Sequence, residues 1–293
     1  MAQSVMSQLS SQPSARLAGI SAAQRTIAVI GDAWTLRILR TLFRGKRRFS
    51  DFVNEFGVSK AVLTDRLSKL VQHGVLSRLA PEGAHPEYRL TECGLDLWSL
   101  FLAMWVWETE WGTAKNPDTW APDMPRAQVT HTVCGHVMNP RLCCAQCQRE
   151  VTPFETVGLP SAPDRRASKD ASVASAFRRA RQPVSNGDAS NQVQALSRVV
   201  GDRWNSALVA AAFRGVRTFS GFEQELSIGP AQLSQRLAEL QQLGILRTQT
   251  GQGARLEYRL SKSGVALFPA TLEMVRWGNR WMQVGGSPLQ IQH

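Results

Sequence analysis

Long apolar runs are missing from this chain. No stretch approaches the roughly 20 residues that cross a bilayer, so a membrane-spanning protein is not expected. The opening Met1-Ala2-Gln3-Ser4-Val5 has no charged start followed by an apolar stretch. It does not read as a secretory signal, and the expected location is cytoplasmic. Acidic residues are scarce: Asp and Glu number 23 against 34 Lys and Arg, for a net charge of +11. That imbalance favours a polyanionic partner. Catalytic arrangements are lacking too. No nucleophile–base pair, no phosphate-cradling glycine loop and no paired acids mark a pocket, so an enzyme is not expected. Cysteine is rare, and absent before Cys93. The other four, Cys134, Cys143, Cys144 and Cys147, crowd into one short segment. In an intracellular chain such clustering points to metal or redox chemistry more than to structural disulfides.

What the chain does contain is one segment written twice. Gly31 to Trp111, moved forward 170 positions, falls on Gly201 to Trp281 without a gap, and about 31 of the 81 paired positions are identical. Gly31-Asp32-Ala33-Trp34 becomes Gly201-Asp202-Arg203-Trp204, and Glu87-Tyr88-Arg89-Leu90 becomes Glu257-Tyr258-Arg259-Leu260. This is a domain duplication, the arrangement a fused dimer would have. The length of 293 residues and a hydrophobic content of 43% suit two globular units with an insert between them.

Each copy has the same punctuation. In the first, Trp34, Ile38, Leu39 and Leu42 recur at helical spacing and Gly45 stops the helix. Phe49, Phe52, Val53 and Phe56 mark a short second helix, capped at Ser50 or just before it. After the turn Gly57-Val58-Ser59, Ser59 caps a helix from Lys60 to His73 with Leu63, Leu67 and Leu70 on its buried face. Val75 to Arg78 and Glu87 to Leu90 read as a hairpin around Pro81-Glu82-Gly83-Ala84. A long helix is expected from about Thr91 to Trp111. The second copy repeats this with a short helix over Phe219, Phe222 and Leu226. Its third helix runs Pro230 to Leu243 over Leu233, Leu237 and Leu240, and its hairpin spans Ile245 to Leu260. The fold class is mainly α with small β-hairpins: tandem winged helix-turn-helix domains.

The ordered set Gly31-Asp32-Ala33-Trp34, Phe49-Ser50-Asp51-Phe52, Leu63-x-x-Arg66-Leu67-x-x-Leu70, Gly74-Val75-Leu76 and Glu87-Tyr88-Arg89-Leu90-Thr91 resembles the HxlR-type transcriptional regulators. The resemblance covers most of both copies. It implies a sequence-specific regulator that binds double-stranded DNA. Members of that family are typically homodimers of one such domain, so a tandem chain would act as an intramolecular pseudo-dimer, or would dimerise again. Some relatives sense electrophiles through a cysteine near the start of the domain. No cysteine stands there in this chain, so that mechanism does not carry over.

In a helix-turn-helix the second helix enters the major groove with its first residues on base edges. The expected contacts in copy one are Ser59, Lys60 and Thr64, with Lys69 beyond them; Arg66 would reach a phosphate or brace the fold. Copy two offers Gln232, Ser234, Gln235 and Arg236, and Gln can pair with adenine. It has Pro230 for Lys60 and Glu239 for Lys69, so the first copy is expected to bind more strongly. Arg78 on the first wing and Arg247 and Arg255 on the second suit the DNA backbone. So do Arg47 and Arg48 in the basic run before the second helix.

Leu97, Trp98, Phe101, Met104, Trp105, Trp107 and Trp111 in the last helix of copy one offer more apolar surface than one small core needs. Leu267, Phe268, Leu272, Met274, Trp277 and Trp281 do the same in copy two. The surplus is expected to pack copy against copy. Between the copies, His131-x-x-Cys134-Gly135 and Cys144-x-x-Cys147 form a zinc-knuckle-like hairpin. Its expected ligands for structural zinc are His131, Cys134, Cys144 and Cys147, with His136 or Cys143 as substitutes. Free or redox-active thiols are the competing reading. The expected layout is a disordered tail at 1–19, domain 1 at 20–112, the Cys/His hairpin at 127–157, a flexible basic linker at 158–190 and domain 2 at 191–284. Two other functions compete: a thiol- or metal-responsive sensor, with a small-molecule or redox effector, and a winged-helix module for protein interaction.

Overall fold

The computed structural model describes residues 18–80, 85–111, 129–138, 140–159, 194–251, 255–282 and 290–292. Of the expected tail at 1–19, residues 18 and 19 instead begin a helix, and of the expected linker at 158–190, residues 158 and 159 lie in a strand paired near the C-terminus. The rest of both, and both wing tips (81–84 and 252–254), lie outside the described residues.

The first half opens with α1 (Ala18–Ile30), followed by α2 (Ala33–Phe43), α3 (Phe49–Phe56) and α4 (Lys60–Gln72). The hairpin β1 (Leu76–Leu79) and β2 (Glu87–Leu90) comes next, then the single turn α5 (Glu92–Leu95) and α6 (Trp98–Trp111). After the joint, β3 (Val157–Leu159) leads to the second half. That half holds α7 (Gln194–Val200), α8 (Arg203–Phe213), α9 (Phe219–Leu226) and α10 (Pro230–Gln242). The hairpin β4 (Leu246–Thr250) and β5 (Leu256–Leu260), the turn α11 (Lys262–Val265), α12 (Phe268–Trp281) and β6 (Gln290–Gln292) complete it. The two hairpins are antiparallel in the same register, Leu76 facing Leu90 and Leu246 facing Leu260. β3 pairs antiparallel with β6.

Local chemistry explains the boundaries. Asp32 accepts from the N–H groups of Trp34 and Thr35 in the first turn of α2, and Asp202 from those of Trp204 and Asn205 in the first turn of α8, at 2.9 to 3.1 Å. The caps are equivalent because the residues are. The N-cap of α3 is Arg48, just before Ser50, and its backbone N–H donates to Asp51 in the first turn at 2.9 Å. Ser59 caps α4, accepting from Val62 N at 3.4 Å. Gly57 and Gly74 take positive φ, 59° and 70°, where a side chain would be strained.

Both halves bury one contiguous core. Leu36, Leu39, Phe52, Leu63, Leu67, Leu70 and Leu97 fill the first; Leu208, Phe222, Leu233, Leu237, Leu240 and Trp277 fill the second. The expected helix from Thr91 to Trp111 is in fact two. Asp96 closes α5, and the chain turns at Leu97 before α6 begins. Copy two breaks at the same place, where Pro269 stands in the first turn of α12.

The halves pack against each other through their last helices and the helices that precede the duplication. Trp107 on α6 donates its indole N–H to Ser263 O at 2.7 Å, and Trp277 on α12 donates to Cys93 O at 2.9 Å. Both donors and both acceptors are 170 positions apart. α1 lies along α12 so closely that a Cβ on Gly278 would stand 2.2 Å from Ala22 O. Thr26 donates to Met274 O at 2.6 Å across this contact. α7 packs on α8, where Ser206 donates to Val199 O at 2.6 Å, and reaches α2.

One polar cluster at this boundary has no counterpart on the other side. Arg276 donates to both oxygens of Asp96 at 3.0 Å, to Asp96 O at 2.9 Å and to Ser99 Oγ at 2.8 Å. It also pairs with Glu273 at 2.6 Å, and Trp281 donates to Asp96 at 2.8 Å. The positions equivalent to Asp96, Arg276 and Glu273 are Ala266, Val106 and Ala103, which cannot repeat it.

Candidate nucleic-acid interface

The spacing of the leucines decides which side of α4 is free. Leu63, Leu67 and Leu70 face the core, which leaves Lys60, Ala61, Thr64, Asp65, Ser68 and Lys69 exposed along the opposite side. Ser59, at the cap, is exposed as well. The expected contacts Ser59, Lys60, Thr64 and Lys69 therefore share one face. Lys69 is held one turn away by Asp65, at 2.7 Å. In α10 the exposed positions include Gln232, Ser234 and Gln235. The two faces differ in charge as their sequences do.

Arg66 and Arg236 behave differently. Each is half-buried and folded back onto the N-cap acid of its own half. Arg66 lies 3.1 Å from Asp32 and Arg236 lies 2.9 Å from Asp202. A second acid holds each in place, Asp65 at 2.8 Å and Glu239 at 2.7 Å. These arginines brace the helix-turn-helix against the preceding helix. Of the two roles open to Arg66, the geometry favours bracing over phosphate contact, and Arg236 does the same.

Arg47 and Arg48 are exposed beside the first hairpin, where Arg47 O accepts from Tyr88 N at 2.8 Å. Arg48 lies 3.8 Å from Glu87. The hairpin thus carries the basic run to the base of the wing. Arg78 on β1, Arg247 on β4 and Arg255 before β5 are exposed, on the stems of the two wings.

The expected zinc ligands sit elsewhere, in the joint. His131 Nδ1 and Cys134 Sγ are 3.3 Å apart. Backbone N–H groups of Cys147 and Gln146 point at the Cys144 sulfur and lower its thiol pKa. Among the described residues, no three His, Cys, Asp or Glu side chains stand together as a metal site. Nor is there a helix long and apolar enough to cross a membrane among them. A cavity between α7, α8 and α12 holds about 10 Å³, space for a single water and too little for an effector.

Sequence reasoning missed two residues that matter to this arrangement. Asp96 and Glu108 organise the boundary between helices, yet neither lies in a motif. Glu108 is largely buried 3.5 Å from Arg40. Burial pushes its carboxyl up to about 7 against the opposing pull of Arg40.

The chain can be compared with known proteins on this footing. The family described as HxlR-like helix-turn-helix matches twice, at residues 29–116 and 199–285. An uncharacterized HTH-type transcriptional regulator of Mycobacterium tuberculosis is 36% identical over 131 residues, 44% of this chain and 78% of the relative. One from Synechocystis is 30% identical over 109 residues, 36% of this chain and 81% of the relative. The crystal structure of PA1607, a candidate transcription factor, is 32% identical and covers 47% of this chain and 91% of its own, with a TM-score of 0.37. The matched residues take in both duplicated segments and more than half of the sequence, so the chain belongs to the HxlR-like helix-turn-helix family of transcriptional regulators.

Proposed function

We propose that this regulator binds one DNA operator as a single chain, its two halves serving as the two subunits of a pseudo-dimer. The observation that carries this is the reciprocity of the Trp107–Ser263 and Trp277–Cys93 hydrogen bonds. A contact in which residue i meets j and j meets i is the mark of a two-fold interface, here made within one chain. The surfaces of α4 and α10 then address successive major grooves, with half-sites about one helical turn (~34 Å) apart. Lys60 and Thr64 read the first half-site with Ser59 at the helix cap; Gln232, Ser234 and Gln235 read the second. Arg47, Arg48, Arg78, Arg247 and Arg255 bear on phosphates and set register. Arg66 and Arg236 hold the two recognition helices in position.

The halves are unequal. Copy one supplies Lys60 and Lys69 where copy two supplies Pro230 and Glu239. Phosphate neutralisation, and with it the salt dependence of affinity, therefore comes mainly from copy one. Copy two contributes hydrogen bonds through its glutamines.

Selection of bound sequences from random DNA with the full chain tests this reading. The expected operator has two unlike half-sites whose centres are about one turn of DNA apart. A palindrome of two identical half-sites, or one half-site alone, would contradict it.

A further inference from the structure

The joint between the halves repeats itself on a smaller scale. In its first turn His131 N donates to His136 O at 2.9 Å, Gly135 N to His131 O at 2.7 Å, and Met138 N to Val129 O at 2.7 Å. In its second turn Cys144 N donates to Arg149 O at 2.8 Å, Gln148 N to Cys144 O at 2.8 Å, and Val151 N to Leu142 O at 2.9 Å. Every donor and acceptor in the second set is 13 positions after its equivalent in the first. The β-bridges correspond as well, Thr130 with Val137 and Cys143 with Glu150. Gly135 and Gln148 both take positive φ, 73° and 59°. The second case is a non-glycine residue in a strained region, which a free loop has no reason to keep.

Each turn presents two soft donors at the same two positions. His131 corresponds to Cys144 and Cys134 to Cys147. Nothing apolar holds these turns in shape. Among the described residues of 129–156 no side chain is buried, and Val133 and Phe154 are 86% and 82% exposed. A segment this small with no core needs another source of order, and a four-ligand metal site is the usual one. The four donors are not gathered in the structure: each turn holds its own pair.

We propose that the two turns are the halves of one structural zinc site, in which His131, Cys134, Cys144 and Cys147 close on a single ion. Three thiolates and one imidazole make a complete tetrahedral set, so the site leaves no open position for catalysis. Cys143 and His136 are outside it. Their equivalents are Thr130 and Arg149, and they occupy bridging and turn-closing places in the backbone pattern. Bound zinc fixes the joint between the two halves of the chain. The proposal stands on the joint alone, and DNA binding, measured on the same samples, reports separately on the regulator reading.

The experiment is metal analysis of the purified full chain, with cobalt as a spectroscopic substitute. One zinc per chain is expected. So are thiolate-to-cobalt charge-transfer and tetrahedral ligand-field bands on replacement. Cys134→Ser and Cys147→Ser lose the metal; Cys143→Ser and His136→Gln keep it. Thiol labelling of the unmutated chain gives a second reading that requires no variant. Of the four joint cysteines, Cys143 alone reacts quickly until a chelator is added, and then all four react. A chain that binds neither zinc nor cobalt overturns the proposal. So does equal reactivity of all four thiols before chelation, or loss of metal in Cys143→Ser as large as in Cys134→Ser.

Discussion

Arg276→Met would remove the hub of the one-sided polar cluster between the halves. The guanidinium serves Asp96, Ser99 and Glu273 together, and the carboxylates it leaves behind are 18% and 8% exposed. Breaking a fully buried ion pair from one side costs about 3–5 kcal/mol, because the remaining charge is left unpaired. Arg276 itself is 39% exposed, and Trp281 and Arg280 still donate to Asp96. The expected loss is therefore lower, about 2 kcal/mol, a drop of about 4–8 °C in Tm for a chain of this size. Urea and thermal unfolding of the full chain read it directly. The exposed wing variant Arg255→Met serves as control and is expected within about 0.5 kcal/mol of the parent. A double-mutant cycle with Asp96→Asn isolates the pair, with an expected coupling of about 1 kcal/mol or more. If Arg276→Met behaves like the wing control and shows no coupling, the two halves do not pack through these residues in solution.

Gly278→Ala places a Cβ against Ala22 O and is expected to cost about 1–3 kcal/mol, measured by thermal unfolding, because α1 must move away. Arg47→Ala is expected to lower the slope of log affinity against log salt by about 1, whereas Gln232→Ala leaves the slope and relaxes the preference at one base pair by about 1–3 kcal/mol. Glu108 gives a pH signature. Its folded-state pKa is raised from 4.5 to about 7, so the native state holds the proton more tightly than the unfolded chain. Its ionisation cost is absent at low pH, grows as pH rises from about 4.5, and is complete above about 7, where it reaches roughly 3 kcal/mol. Unfolding of Glu108→Gln and the parent across that range checks this. The variant should gain stability relative to the parent as pH rises, and a constant difference would refute the assignment.

The cores of both halves are legible in the sequence because local spacing decides them. Leu63, Leu67 and Leu70 recur at helical intervals, Gly74 stops the helix, and Ser59 starts it. The bracing role of Arg66 was also within reach. Asp32 and Arg66 recur together as Asp202 and Arg236, a paired repetition that fits an internal contact better than a surface one. The boundary between halves was less visible. α1 and α7 precede the duplicated register, so the repeat gives no support for them. Thr26 meets Met274 across 248 positions, and nothing local marks either residue. Asp96 is a single acid in a helical pattern, and its value comes from an arginine 180 positions away. The division of the last helix into α5 and α6 escaped for the same reason, since the apolar run continues through the turn.

The unequal halves bear on how such a regulator finds its site. A homodimer reads the same sequence twice. Here α4 carries a net positive charge and α10 carries none, while the Asp96–Arg276 cluster joins one specific half to the other. Copy one paired with itself would leave Asp96 opposite Val106. Copy two paired with itself would leave Arg276 opposite Ala266. The first alternative leaves Asp96 without its arginine and the second leaves Arg276 with only Glu273 of its own helix, so the contacts fit the within-chain pairing better than either.

The most direct measurement is the mass of the complex on the selected operator, by sedimentation or native mass spectrometry. One chain of 32.4 kDa per duplex, with both half-sites protected, is the predicted result. Two chains per duplex, each protecting one half-site, would contradict the single-chain pseudo-dimer.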